Sequence, residues 1–92
     1  GSGMCPLHLA AMQGDVALLE TLLPFAGKDD LDATDGQGRT ALLLATLEGH
    51  AEVVALLLES GADPAVKDSD GSDARSWATD LAHDDIVALL KS

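Results

Sequence analysis

The residues best suited to chemistry are three carboxylates gathered around a glycine, in Asp68-Ser69-Asp70-Gly71-Ser72-Asp73. Alternate acids before a glycine are how a helix-flanked calcium loop begins, because hard cations are held by oxygen ligands on a tightly turned backbone. Such a loop also needs a bidentate acid at its twelfth position, and counting from Asp68 that position is Thr79. His8, His50 and His83 have no second ligand at the close spacing of a zinc site, and Cys5 is the single cysteine. Cys5 and His8 would form a nucleophile and base at a helix start, with no orienting third group in view. Neither a glycine-rich phosphate cradle nor a nucleophile elbow occurs. The expectation is a chain with no catalytic residues, no metal and no cofactor.

Composition points to partners of a different kind. Five Lys plus Arg stand against 16 Asp plus Glu, a formal charge of -11, so nucleic acid phosphates and anionic membranes would be repelled. A protein or peptide partner with basic and apolar residues suits this surface. A lone cysteine, with no signal peptide or long apolar span, implies a reducing intracellular setting, cytoplasm or nucleus. Gly1-Ser2-Gly3 reads as an expression scar. Ninety-two residues suffice for one domain, and with 47% hydrophobic residues but one Trp, one Phe and no Tyr, its core must be Leu, Ala and Val.

The elements that position these residues come in three similar copies. Thr40 to Pro64, TALLLATLEGHAEVVALLLESGADP, is echoed by segments starting at Cys5 and at Asp73, and the equivalent Ala10, Ala45 and Ala78 are 35 and 33 residues apart. That period belongs to a stack of helix pairs. In the middle copy Thr40 caps a helix over 41–48, Gly49 ends it, and a second helix over 51–59 carries the stripe Val53, Val54, Leu57 and Leu58 before Gly61. Copy one begins its first helix with Pro6 after a Cys5 cap and has a second over 15–23. Copy three, capped by Asp73, has helices over 74–81 and 84–91, with Asp84 and Asp85 favouring the start and Lys91 the end of the last one. Two ladders, Leu9/Leu44/Trp77 and Leu19/Val54/Val87, read as core. The connections over 24–39 and 60–72 read as loops. The first carries two extra residues, which accounts for the 35-residue spacing, and Phe25, in that insertion, is expected to pack beneath it.

Asp35-Gly36-Gln37-Gly38-Arg39-Thr40-Ala41-Leu42 resembles the D-x-x-G-x-T-P-L start of an ankyrin repeat. Gly49-His50-Ala51-Glu52-Val53-Val54 resembles its G-H-x-E-V-V centre, and Leu56-Leu57-Leu58-Glu59-Ser60-Gly61-Ala62-Asp63-Pro64 its L-L-L-x-x-G-A-D-P end. Cys5-Pro6-Leu7-His8-Leu9-Ala10-Ala11 is similar to the family's T-P-L-H-L-A-A. The resemblance implies an all-α ankyrin-repeat solenoid of stacked helix-turn-helix pairs joined by β-turn finger loops, with repeats at about 5–34, 35–67 and 68–91. It also implies that His8 hydrogen-bonds a neighbouring turn. Leu43 and Ser76 stand where that histidine would recur, which implies a less stable stack than consensus repeats. Leu31-Asp32-Ala33 replaces the family's V-N-A, so asparagine hydroxylation has no substrate.

The resemblance implies a protein-interaction module that does no chemistry. Its concave groove would be formed by finger tips and first-helix ends: Met12 and Gln13; Gln37 and Arg39; Leu47 and Glu48; Ser69, Asp70 and Ser72; Asp80 and Leu81. Met12 and Leu47 would expose an apolar stripe beside acids, and Trp77 is a further contact candidate at the end of the array. The alternative is a structural segment of a longer solenoid, or a weakly self-associating one, whose ends stack on further repeats. The start at Cys5 without a preceding turn, and a copy one that is not especially polar, motivate it; otherwise the exposed side of copy one carries residues such as Gln13, Glu20 and Thr21. Copy three has the polar residues of a terminal repeat in Arg75, Ser76, Asp80, His83, Asp84 and Asp85.

Overall fold

A hydroxyl or carboxylate placed one residue before a run of helix formers starts a helix, and three of the pairs' helices begin in this way. Thr40 Oγ1 accepts from the Leu43 N–H at 3.1 Å, an Asp73 oxygen from the Ser76 N–H at 2.9 Å, and an Asp15 oxygen from the Leu18 N–H at 3.1 Å. The computed structural model describes residues 6–91, with Lys28 described by its backbone only. The helices are α1 (Pro6–Gln13), α2 (Val16–Leu22), α3 (Lys28–Leu31), α4 (Ala41–Glu48), α5 (Ala51–Glu59), α6 (Ala74–Asp80) and α7 (Asp84–Lys91), with a 3-10 turn at Leu23–Phe25. No strand occurs among the described residues. Gly1 to Gly3, read as a scar, and Cys5, with its expected roles as a cap and as the partner of His8, lie outside them.

The helices form three antiparallel pairs, α1/α2, α4/α5 and α6/α7, stacked so that α4 packs on α1 at one side and α6 at the other. The fold is all-α, as the resemblance implied. Helices α4, α5 and α7 span the residues the sequence predicts. Helix α6 ends one residue sooner, at Asp80, because the chain turns at Ala82, whose φ of 60° is left-handed. The equivalent residues are Gly14 (φ 67°) and Gly49 (φ 78°), so copy three makes with an alanine the turn the others make with glycine.

Burial at equivalent positions identifies the faces of each pair. Leu7 and Leu42 are buried whereas Arg75 is exposed, and the same holds for His8, Leu43 and Ser76, and for Ala11, Thr46 and Thr79. These positions face the following pair in the first two copies and are polar and exposed in the third. The opposite face reads in reverse: Leu9 is 47% exposed where Leu44 is 3%, and Leu18 is 39% exposed where Val53 is 1%. The middle pair is covered on both sides, α4 by α1 and α6 and α5 by α2 and α7, and Ala41 to Thr46 are all buried.

Three expectations need correction. Leu9 is not core, because the ladder it starts faces outward at this end of the stack. Phe25 is not packed beneath its loop but 86% exposed, because the 3-10 turn that continues α2 rotates residue 25 away from the core. The loop over 24–39 is also not wholly irregular. The turn α3 carries Leu31 into the core, and the Gly27 N–H donates to Asp30 Oδ2 at 3.1 Å at its start.

Polar groups inside the stack are tied to backbone. His8 Nε2 lies 2.9 Å from the Ala33 carbonyl oxygen, joining α1 to the next finger as expected. His50 Nε2 lies 3.0 Å from the Met12 carbonyl oxygen, where it satisfies the end of α1. Thr46 donates to the Leu42 carbonyl at 2.9 Å. Among the described residues no buried side-chain nitrogen or oxygen lacks a partner.

Candidate functional site

Two aspartates shape the fingers in the same way. Asp35 Oδ1 accepts from the backbone N–H groups of Gln37 (2.8 Å) and Arg39 (3.0 Å), and Asp68 Oδ1 accepts from those of Asp70 (2.9 Å) and Ser72 (3.1 Å). Each carboxylate thus closes a tight turn from inside, as Asx residues do. Their second oxygens differ. Asp35 Oδ2 takes the Arg39 guanidinium, through Nε and Nη2, both at 2.9 Å, whereas Asp68 Oδ2 takes the indole N–H of Trp77 at 2.8 Å. For both carboxyls burial pushes the pKa up but is outweighed. Asp35 is held below the ordinary value by the Arg39 and Gln37 N–H groups and the guanidinium, and Asp68 by the Trp77, Ser72 and Asp70 donors with Arg39 nearby.

The fingers are also tied to each other. The Gln37 carbonyl accepts from Ser69, and the Asp63 N–H donates to Asp32 Oδ1 at 3.0 Å. Gly38 sits so close that a Cβ there would lie 3.0 Å from the Ser69 nitrogen, so the tips pack backbone against backbone.

Beside these tips lies a depression of about 320 Å³ lined by Gln37, Arg39, Leu47, Asp68, Ser69, Asp70 and Trp77. Six of the twelve sequence-predicted residues therefore meet at one place, supplied by the second and third pairs. The seventh lining residue, Asp68, was weighed from sequence as the first acid of a calcium-type loop and not as a contact residue; its equivalence to Asp35 is the signal that marks it. Ser72 and Asp80 lie apart, in a shallow polar surface with Asp73 and Arg75. Gln13, Glu48 and Leu81 are exposed at the ends of α1, α4 and α6 without lining the depression. Met12 and Leu47 are half-buried, so the expected exposed stripe is narrower than the sequence implies.

The depression offers a hydrophobic floor from Leu47 and Trp77 and a rim with the Asp70 carboxylate and the Gln37 amide. Arg39 is the cation on the rim, and its charge is balanced by Asp35. Among the described residues no group of three or more His, Cys, Asp or Glu is arranged to hold a metal ion. Asp68 is saturated by N–H donors and Asp73 is engaged as a helix cap. No helix among the described residues is long and apolar enough to cross a membrane.

Comparison with known proteins agrees with this architecture. The family model for ankyrin repeats, in three copies, matches residues 7–92. The chain is 34% identical over 84 residues to potassium channel AKT1 of Oryza sativa subsp. indica, covering 91% of this chain and 9% of the channel. It is 40% identical over 80 residues to palmitoyltransferase AKR1 of Lachancea kluyveri, covering 87% and 11%. To dauer abnormal formation protein 25 of Caenorhabditis elegans it is 35% identical over 92 residues, covering 99% and 23%. The chain thus spans less than a quarter of the length of each of these relatives. With three stacked helix pairs, finger turns closed by Asp35 and Asp68, and a family match over nearly its whole length, the chain belongs to the ankyrin-repeat family.

Proposed function

We propose that this chain is a non-catalytic recognition module that presents a rigid acidic groove and finger loops to a protein or peptide carrying basic and apolar residues. Ankyrin repeats are generally protein-interaction modules, and the finer reading rests on one observation. The depression lined by Leu47, Trp77, Asp70 and their neighbours combines an apolar floor with an unbalanced carboxylate. Its walls are hydrogen-bonded finger to finger, so little ordering entropy would be lost on association. An anchor of the partner would rest on Leu47 and the Trp77 ring while a Lys or Arg beside it approaches Asp70. Met12, Gln13, Glu48, Ser72, Asp80 and Leu81 would form the margin of the same face. The lone cysteine supports placing this recognition inside the cell, in cytoplasm or nucleus.

Panning a displayed peptide library against the chain tests the reading. Enriched sequences should pair an apolar residue with Lys or Arg, and Leu47→Glu and Asp70→Lys should each weaken their binding about tenfold or more. No enrichment, or binding indifferent to both substitutions, would refute it. A second reading, stacking of the ends on a further copy, has the exposed Leu9 and Leu18 in its favour. It requires a mass that rises with concentration in sedimentation.

A further inference from the structure

The finger groove owes its unbalanced charge to Asp70, and Asp70 is followed by Gly71. An aspartate before a glycine can rearrange without an enzyme. The backbone nitrogen of the following residue attacks the side-chain Cγ, the carboxyl hydroxyl leaves with the amide proton as water, and a succinimide ring closes. Water then adds back at one of the two ring carbonyls. Opening at Cγ restores aspartate, whereas opening at the former backbone carbonyl leaves isoaspartate, whose main chain runs through Cβ and Cγ. The water lost is regained, and no oxidant, reductant or cofactor is consumed. Glycine favours the attack because no Cβ crowds its nitrogen and its backbone turns freely.

The chain has two such pairs, Asp35-Gly36 and Asp70-Gly71, and the fold treats them oppositely. At Asp35 both carboxylate oxygens are held, Oδ1 by the N–H groups of Gln37 and Arg39 and Oδ2 by the Arg39 guanidinium. The side chain is buried and its pKa lies below the ordinary value, so the neutral acid that would lose water is scarce. At Asp70 the carboxylate makes no hydrogen bond or ion pair among the described residues, and both Asp70 and Gly71 are exposed. One restraint operates there, the bond from the Gly71 N–H to the Asp68 carbonyl at 2.9 Å. It closes a turn at a loop tip, where opening is a local event that leaves the stack folded. Asp29, Asp80, Asp84 and Asp85 are exposed as well, but they lie in helices and precede residues whose side chains crowd the nitrogen.

We infer that Asp70-Gly71 is a site of spontaneous isoaspartate formation in the folded chain, whereas Asp35-Gly36 is protected by its own hydrogen bonds. The rearrangement adds a backbone atom to the turn that sets the Asp70 and Ser72 N–H groups on Asp68 Oδ1. It also leaves the free carboxylate directly on Cα, one carbon shorter than before and drawn back toward the finger. The groove would thereby lose the acid that a basic partner approaches. That consequence rests on the groove's role in recognition; the rearrangement itself does not.

The test is to age the chain for weeks at body temperature and mildly acidic pH, folded and, in parallel, in concentrated urea. Isoaspartate is counted with an isoaspartate-specific carboxyl methyltransferase and a labelled methyl donor, and is located by electron-transfer fragmentation of the peptides holding Asp35 and Asp70. In the folded chain residue 70 should convert about tenfold or more faster than residue 35, and in urea the two should convert at similar rates. Asp70→Glu, which would need a larger ring, should remove most of the signal from the folded chain. Conversion at residue 35 as fast as at residue 70 in the folded chain, or none at residue 70 while the urea sample converts, would overturn the inference. Because the readout needs no partner, its failure is distinct from a failure of the groove to bind peptides.

Discussion

The carbonyl oxygen of Gln37 accepts twice from Ser69, from its backbone N–H at 2.9 Å and from its hydroxyl at 2.8 Å. Adjacent fingers are therefore joined at their tips, where solvent would otherwise let them move independently. Ser69→Ala removes one of the two bonds and should cost about 0.5–1 kcal/mol. Gly38→Ala should cost more, about 2 kcal/mol, because its Cβ would meet the Ser69 nitrogen on a residue whose φ is 77°. Urea denaturation of both variants checks the order. If Gly38→Ala costs no more than Ser69→Ala, the backbone contact between tips is not the tighter constraint.

Acid should loosen the fingers through Asp35 and Asp68. Both carboxyls are held below their ordinary value in the fold, so each contributes stability that is complete above the unfolded pKa of about 3.9. That contribution is lost as pH falls from there through the lowered folded value. Stability measured from pH 6 to pH 2 should therefore decline most steeply below about pH 4. Asp68→Asn should flatten this limb. Trp77→Phe, which keeps a ring but removes the indole donor, should bring the folded pKa of Asp68 nearer its unfolded value and so shrink this limb in part; an unchanged limb would count against the Asp68–Trp77 bond.

Ala82 adopts a φ of 60° where the other two pairs use glycine. An alanine in the left-handed region costs about 1 kcal/mol. Ala82→Gly should stabilise the chain by about 0.5–1 kcal/mol, the strain relief exceeding the entropy that glycine adds to the unfolded state. A thermal melt that moves down rather than up would contradict this.

Leu44 and Leu9 occupy equivalent positions with opposite burial. Leu44→Ala should cost about 2–5 kcal/mol, a large part of what a small domain possesses. Leu9→Ala should cost under about 1 kcal/mol. Equal costs would mean that Leu9 is covered in solution.

This pair also marks how far the sequence carries. Helix boundaries were legible because each is set locally: Thr40 and Asp73 cap, Gly49 turns, and the apolar spacing of Val53, Val54 and Leu57 fixes the inward side. Repeat equivalence places Leu9 on a ladder, but burial depends on what lies beyond the residue in space, and the ladder alone does not contain that. Phe25 and α3 were missed for a related reason. Phe25 lies in the two-residue insertion, which has no equivalent to compare with, and turns outward through a 3-10 extension that no cap announces; α3 follows it in a stretch read as loop. Within the candidate site, finger position identified Gln37, Arg39, Ser69 and Asp70. Asp68 was passed over because the sequence offers it only as the first acid of a calcium-type loop, and nothing in the spacing announces its bond to Trp77.

The depression beside the fingers draws Gln37, Arg39 and Leu47 from one pair and Ser69, Asp70 and Trp77 from the next. It straddles a seam. In a stack whose cohesion resides in neighbour-to-neighbour junctions, a ligand bridging that seam acts as a rivet: whatever free energy it gains in binding is added to the attachment of the terminal pair. Fraying of α6 and α7 would empty the site, and filling the site would suppress the fraying, so recognition and the integrity of this end of the molecule are one equilibrium.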